Sequence, residues 1–207
     1  MSTFILMTIT IGMTFSTSRI EAFSDGVIAI IITLMILEIK MPHIESGASS
    51  AKVWHALSGV VPYFISYILS FIVIGIMWVN HHYLFHLVKH SDTKLLWLNI
   101  NLLFWMSVIP LPTGFIGEHY LLREASMFYG FVLGMCGLGF YFLRRHANII
   151  MKDFVTTEAK EKINRKNLIS SSLYFSSVAF AFISVYISFF IFILIPVMYF
   201  IPEKAEK

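Results

Sequence analysis

Asp25, Trp78, His81 and His82 are the side chains of this sequence best suited to chemistry, and their spacing limits what that chemistry can be. Arg19, Glu21, Ser24 and Asp25 crowd the mouth of an otherwise apolar run that continues from Val27 to Ile39. Trp78, His81 and His82 stand at i, i+3 and i+4, so they share one face of a helix. Ser24 and Asp25 beside His81 suggest a hydrolase triad only superficially. No nucleophile elbow or oxyanion-hole motif accompanies them, and the Ser and Asp are adjacent on one helix, so no enzyme is expected. His82, His86 and His90 fall at i, i+4 and i+8, a spacing able to hold a metal. No carboxylate or cysteine completes that site within the same stretch, and solvated histidines at a membrane interface are the expectation, with no metal assigned. What remains is hydrogen bonding. An imidazole or indole N–H can satisfy Asp25, a carboxylate otherwise stranded at a bilayer edge. The competing reading makes Trp78 part of an aromatic belt and leaves the histidines in water.

A bilayer enters the argument through composition. The 207 residues are 57% hydrophobic and 13% charged, against about 25% charged in soluble domains, so the chain is a multi-span membrane protein. Its apolar segments are continuous rather than alternating, which implies helices and excludes a barrel. The net charge of +3 sits in loops, which suits membrane topology and makes nucleic acid an unexpected partner. Cys136 is the single cysteine, so no intrachain disulfide exists. Residues 1–17 form an apolar N-terminal extension without a basic n-region or an obvious cleavage site, so a signal peptide is disfavoured. An interfacial extension and a start codon placed too early, with Met13 as the true start, both fit.

Six hydrophobic segments follow within a single domain of residues 18–203, ahead of a charged tail at 204–207. They run from about 20–39, 58–86, 95–109, 125–141, 168–183 and 187–201. Lys40-Met41-Pro42 ends the first, Pro110-Leu111-Pro112 ends or kinks the third, and Arg144-Arg145-His146 stops the fourth. Residues 147–166 read as a solvated loop. Leu168 to Ile201 is 34 residues without charge, a length of about 50 Å as one helix, so two antiparallel helices turning near Ser184-Val185-Tyr186 fit better. With six spans, twelve of the 15 Lys and Arg share a side, leaving Lys40, Lys52 and Arg123 opposite. Both termini are therefore expected in the cytoplasm.

A helical wheel at about 100° per residue puts Phe23, Gly26, Ile30, Thr33, Leu34 and Leu37 of the first span on one stripe roughly 100° wide. Glu21 and Asp25 lie on the far side. Arg19 and Asp25 are not an i,i+4 pair, so each needs a partner on another helix. The stripe can line a pore that gates by dewetting, or it can face lipid or the bundle core, and periodicity alone does not choose. Asn99 and Asn101 are expected to hydrogen-bond across helices, and Glu38 to sit at the opposite membrane edge.

Arg19-x-x-x-Phe23-Ser24-Asp25 at the start of the first span and Trp78-x-Asn80-His81-His82 at the end of the second resemble the signatures of the transmembrane protein 175 family of potassium channels. Leu98-Asn99-x-Asn101-Leu102-Leu103-Phe104, followed by Pro110-x-Pro112-Thr113, is similar to the family's third span. The resemblance covers about residues 18–201. It implies an all-α integral membrane protein of six transmembrane helices per chain, a homotetramer with the first helix lining a central pore. The implied constriction falls on Ile30, Leu34 and Leu37, with Thr33 as the polar layer linked to selectivity. The implied role of Arg19, Phe23, Ser24, Asp25, Trp78, Asn80, His81 and His82 is to hold the first helix against its neighbours. The family lacks the TVGYG filter, which is absent here. Expected partners are other copies of the chain, the lipid bilayer and monovalent cations in the cell membrane, with permeant K⁺ and no cofactor. The alternatives are a proton- or cation-coupled secondary transporter, or a proton pathway, using Asp25 and His81/His82, and a structural membrane protein without permeation. The transporter reading expects internal repeats, and none is visible.

Overall fold

The computed structural model describes residues 16–151 and 157–200, so most of the N-terminal extension and the 204–207 tail lie outside the described residues. Helix α1 (Thr17–Leu34) tightens into a 3₁₀ turn (Met35–Glu38). A loop with Gly47 at φ 88° leads to the short α2 (Ser50–Ser58), then α3 (Val61–Leu87). α4 (Thr93–Val108) continues into α5 (Pro110–Glu118), and α6 (Arg123–Ile150), α7 (Thr157–Phe180) and α8 (Val185–Phe200) complete the bundle. Four helical stretches are long and apolar enough to cross a membrane, namely 17–38, 50–87, 93–118 and 123–150. α7 and α8 form a further antiparallel pair, joined by a turn at 181–184.

Several boundaries differ from the hydropathy reading, for identifiable reasons. Pro110 does not end the third span. It occupies N1 of α5, where its missing N–H costs nothing, and the Thr113 N–H and hydroxyl both donate to the Ile109 carbonyl, carrying the helix on to Glu118. The expected second span, about 58–86, corresponds to α3, with Pro62 in its first turn; α2 is an additional short helix ahead of it, set off by the turn at Gly59–Val60. Arg144-Arg145-His146 do not stop α6, which runs on to Ile150. Arg144 is only 4% exposed, with its guanidinium 5.1 Å from the Phe140 ring centre, so its charge is absorbed inside the bundle. The 147–166 loop is accordingly shorter than expected, with α7 beginning at Thr157.

Packing follows from residue size. Gly130, Gly134 and Gly137 on α6 face Ser177, Phe175 and Ser171 of α7, and the Ser171 hydroxyl donates to the Gly134 carbonyl at 2.9 Å. Close backbone approach of this kind is how helices associate where no hydrophobic effect separates protein from lipid. α3, α5 and α6 meet through a buried hydroxyl cluster. Ser70 lies 2.7 Å from the Thr113 hydroxyl and 2.9 Å from the Tyr129 hydroxyl. Around it Met35, Ile74, Leu102, Met106, Leu133 and Phe192 form the core.

The alternation of helices sorts their ends onto two faces. Glu21 reaches His82 and Asp92 reaches His146, so the start of α1, the end of α3, the start of α4 and the end of α6 share a near face. On the far face, Lys40 after the 3₁₀ turn meets Glu118 at the end of α5 at 2.6 Å.

Candidate functional site: the α1 joint and the unpartnered stripe

At the near face, α1 is fastened to α3 and α4 by a run of hydrogen bonds. Ser24 is fully buried and donates to the Ile20 carbonyl at 2.8 Å, so its oxygen must accept from elsewhere. Asn99 Nδ2 supplies that donor at 2.9 Å. This fixes the amide, which presents Oδ1 to His81 Nε2 at 2.7 Å, so His81 carries its proton on Nε2. His81 is 0% exposed, stacks on Phe85 with ring centres 4.5 Å apart, and leaves Nδ1 without a partner among the described residues. Three helices thus share one buried chain of donors and acceptors.

A second set lies closer to the membrane edge. Trp78 Nε1 donates to Asp25 Oδ1 at 2.9 Å, and the indole stacks on His82, whose Nδ1 lies 2.8 Å from Glu21 Oε1. One face of α3 therefore holds both carboxylates of the first two turns of α1. Asn80 points elsewhere: its Nδ2 donates to the Ile76 carbonyl and its Oδ1 accepts from Arg144 at 3.4 Å. Below this, Asp92 caps α4 by accepting from the Leu95 N–H at 2.7 Å and also meets His146 of α6 at 2.9 Å. Burial works to raise the Asp92 carboxyl, but the Leu95 N–H and His146 outweigh it and hold the group below its usual range.

Sequence spacing leaves open whether an indole or an imidazole meets Asp25, and the structure uses the indole. His81 is turned to Asn99 and His82 to Glu21. Arg19 is exposed, with no ion-pair partner among the described residues, and Phe23 is exposed beside it. His90 leaves the metal-like spacing because α3 ends at Leu87, while His82 and His86 point outward. The sequence reading missed Glu21 as the partner of His82 and Arg144 as the partner of Asn80. An arginine inside an apolar helical run was the available signal for the second.

The rest of α1 divides cleanly. Ile20, Ser24, Ile28, Ile31 and Met35 are buried against the bundle. Phe23, Gly26, Ile30, Thr33, Leu34 and Leu37 form an exposed stripe, with Ile30 58% and Leu37 73% exposed. The Thr33 hydroxyl is turned back to the Ala29 and Ile30 carbonyls at 2.9 and 3.0 Å. Beside the stripe a groove of about 830 Å³ opens between α1, α3 and α8, walled by Ala29, Ile32, Gly75 and Val79 with Asp25 at its near end. At the far end of the 3₁₀ turn the Glu38 carboxylate is lodged against Gly114.

The chain matches, over residues 19–110, the family described as endosomal/lysosomal potassium channel TMEM175. A potassium channel of Chryseobacterium sp. (strain P1-3) is 39% identical over 189 residues, covering 90% of this chain and 93% of that protein. The crystal structure of a lysosomal potassium-selective channel TMEM175 homolog from Chamaesiphon minutus superposes with a TM-score of 0.80 at 31% identity. The superposition spans 91% of this chain and 98% of that one. The human endosomal/lysosomal proton channel TMEM175 is 37% identical over 101 residues, which are 46% of this chain and 20% of that protein. The chain belongs to the TMEM175 family, a family of multi-pass membrane ion channels and not of enzymes.

Proposed function

We propose that this chain is a passive, potassium-preferring cation channel that assembles as a homotetramer with α1 around the central axis. The observation that carries the reading is the stripe on α1, which one copy leaves uncovered along the helix while Ile20, Ser24, Ile28, Ile31 and Met35 pack against the bundle. Four copies would bring Ile30, Leu34 and Leu37 into successive apolar rings, with Thr33 as the polar layer between them. Narrow apolar rings conduct only when wetted, and they need no carbonyl filter. The joint of Ser24, Asp25, Trp78, His81 and Asn99 sets the angle of α1, and with His82 on Glu21 it works as a clamp outside the ion path, while Asn80 ties α3 to Arg144 of α6. The potassium-channel names of its relatives from Chryseobacterium and Chamaesiphon support potassium as the permeant ion. The basic near face points to the cytoplasm of the cell membrane, with both termini on that side.

The purified protein in liposomes tests this. Electrogenic K⁺ flux exceeding Na⁺ flux is expected, and absence of any electrogenic flux refutes it. The human relative is named a proton channel, so the assay includes a pH-dye arm. Saturable flux coupled to protons would move the assignment to the transporter alternative. That alternative has less support, because His81 is committed to Asn99 and Asp25 to Trp78.

A further inference from the structure

We propose that α2 is an interfacial anchor, holding Val53, Trp54 and Leu57 in the headgroup region of the bilayer on the far face, with phospholipid as its partner. On a helix, Leu57 lies between Val53 and Trp54, and all three fit an arc of about 100°. Lys52 and His55 occupy the opposite side, and Ser58 flanks Trp54. Among the described residues nothing buries the apolar arc: α2 carries no buried residue, Val53 and Leu57 are only partly covered, and Trp54 is 72% exposed. A nine-residue helix with no tertiary burial is marginal in water, and the Ser49 side chain caps only its first turn. Another phase must supply the missing burial.

Position and charge identify that phase as lipid. Two residues after α2 the chain enters α3, whose first turns expose Val61, Phe64 and Ile65 as a lipid-facing span does. The 27 residues of α3 reach about 40 Å, the hydrocarbon core plus its interfaces, so the Gly59–Val60 turn and α2 fall at headgroup level. Tryptophan favours that level, and a lysine opposite it can extend to phosphate. α2 holds Lys52 and no acidic residue, a balance complementary to phosphodiester groups and of no use against apolar protein. The assignment stands on the membrane fold alone and is independent of which ion permeates.

Site-directed spin labelling tests it. With Cys136→Ala as background, cysteines are placed singly at positions 51–58 and labelled with a nitroxide in phosphatidylcholine/phosphatidylglycerol vesicles. The expected result is oxygen accessibility several-fold above that of a polar nickel chelate at 53, 54 and 57, with the reverse at 52 and 55. Uniform nickel access around the helix would place α2 in water and overturn the proposal. Low access to both reagents at 53, 54 and 57 would show a second copy covering the arc, and would overturn it equally. An unlabelled control uses the fluorescence difference between the parent and Trp54→Phe. Quenching of that difference by lipids brominated near the headgroup is expected, and insensitivity to the bromines refutes the anchor.

Discussion

Trp78 holds Asp25 through a single indole hydrogen bond of 2.9 Å, and the same indole is stacked on the histidine that meets Glu21. Both carboxylates at the mouth of α1 are therefore tied to one turn of α3. Trp78→Phe keeps a ring against His82 but removes the donor. Hydrogen bonds to charged groups contribute about 1.5–3 kcal/mol, and partial exposure discounts this one to about 1 kcal/mol. A lower midpoint in detergent thermal unfolding is expected. Asp25→Asn, which keeps an acceptor, should lose less than Asp25→Leu, and equal losses would argue against the bond.

The buried chain below it is more sensitive. Ser24→Ala orphans Asn99 Nδ2, and Asn99→Leu orphans both the Ser24 oxygen and the His81 Nε2–H. Each unsatisfied buried group costs about 1–3 kcal/mol. The double variant should cost less than the two single losses added together, because it removes both partners of the Ser24–Asn99 bond and leaves only the His81 donor orphaned. Additive losses in thermal or denaturant unfolding would show that the groups are not coupled.

Glycine substitutions separate packing from open space. A Cβ at Gly130 would collide with the Ser177 hydroxyl and approach the Tyr174 carbonyl at 3.2 Å, so Gly130→Ala should loosen α6 from α7 and lower the yield of folded protein. Gly75 has nothing within 4 Å of such a Cβ, so Gly75→Ala should leave the fold of the chain intact. Comparable losses of folded protein from the monodisperse size-exclusion peak would contradict the helix contact.

In the proposed pore, Ile30→Asn should raise conductance by wetting the narrow layer, and Thr33→Ala should lower the preference for K⁺ over Na⁺ while leaving conductance in place. Single-channel recording in planar bilayers reads both. Unchanged conductance in Ile30→Asn would remove Ile30 from the constriction.

Asp92 gives a pH signature with a definite sign. Its carboxyl is held below the ordinary value of 3.8 in the folded chain, so its contribution is fully present above that value and is withdrawn as pH falls through the lower folded value. Asp92→Asn keeps an N-cap but loses the charge facing His146. The stability gap between parent and Asp92→Asn should close as pH falls through the carboxylate range. A gap that persists below that range would reverse the assignment.

Hydropathy and local spacing alone determined that the chain is a helical membrane protein, which side of α1 is apolar, and that Trp78, His81 and His82 share a face. These are properties of a helix 3.6 residues per turn in a solvent that forbids unpaired backbone. Tertiary structure decided the partners. Asp25 had an indole and two imidazoles available within one turn of α3. The depth and rotation of α3 against α1 gave it Trp78, sent His81 to Asn99 and left Glu21 for His82. Arg144 read as a stop because a charge ends an apolar run in sequence. Only the arrival of Asn80 from another helix and the Phe140 ring below it made burial tolerable. Pro110 read as a break or a kink for a related reason. Its cost depends on whether the carbonyl it strands, that of Met106, finds another donor, and the Ile109 N–H supplies one at 3.1 Å.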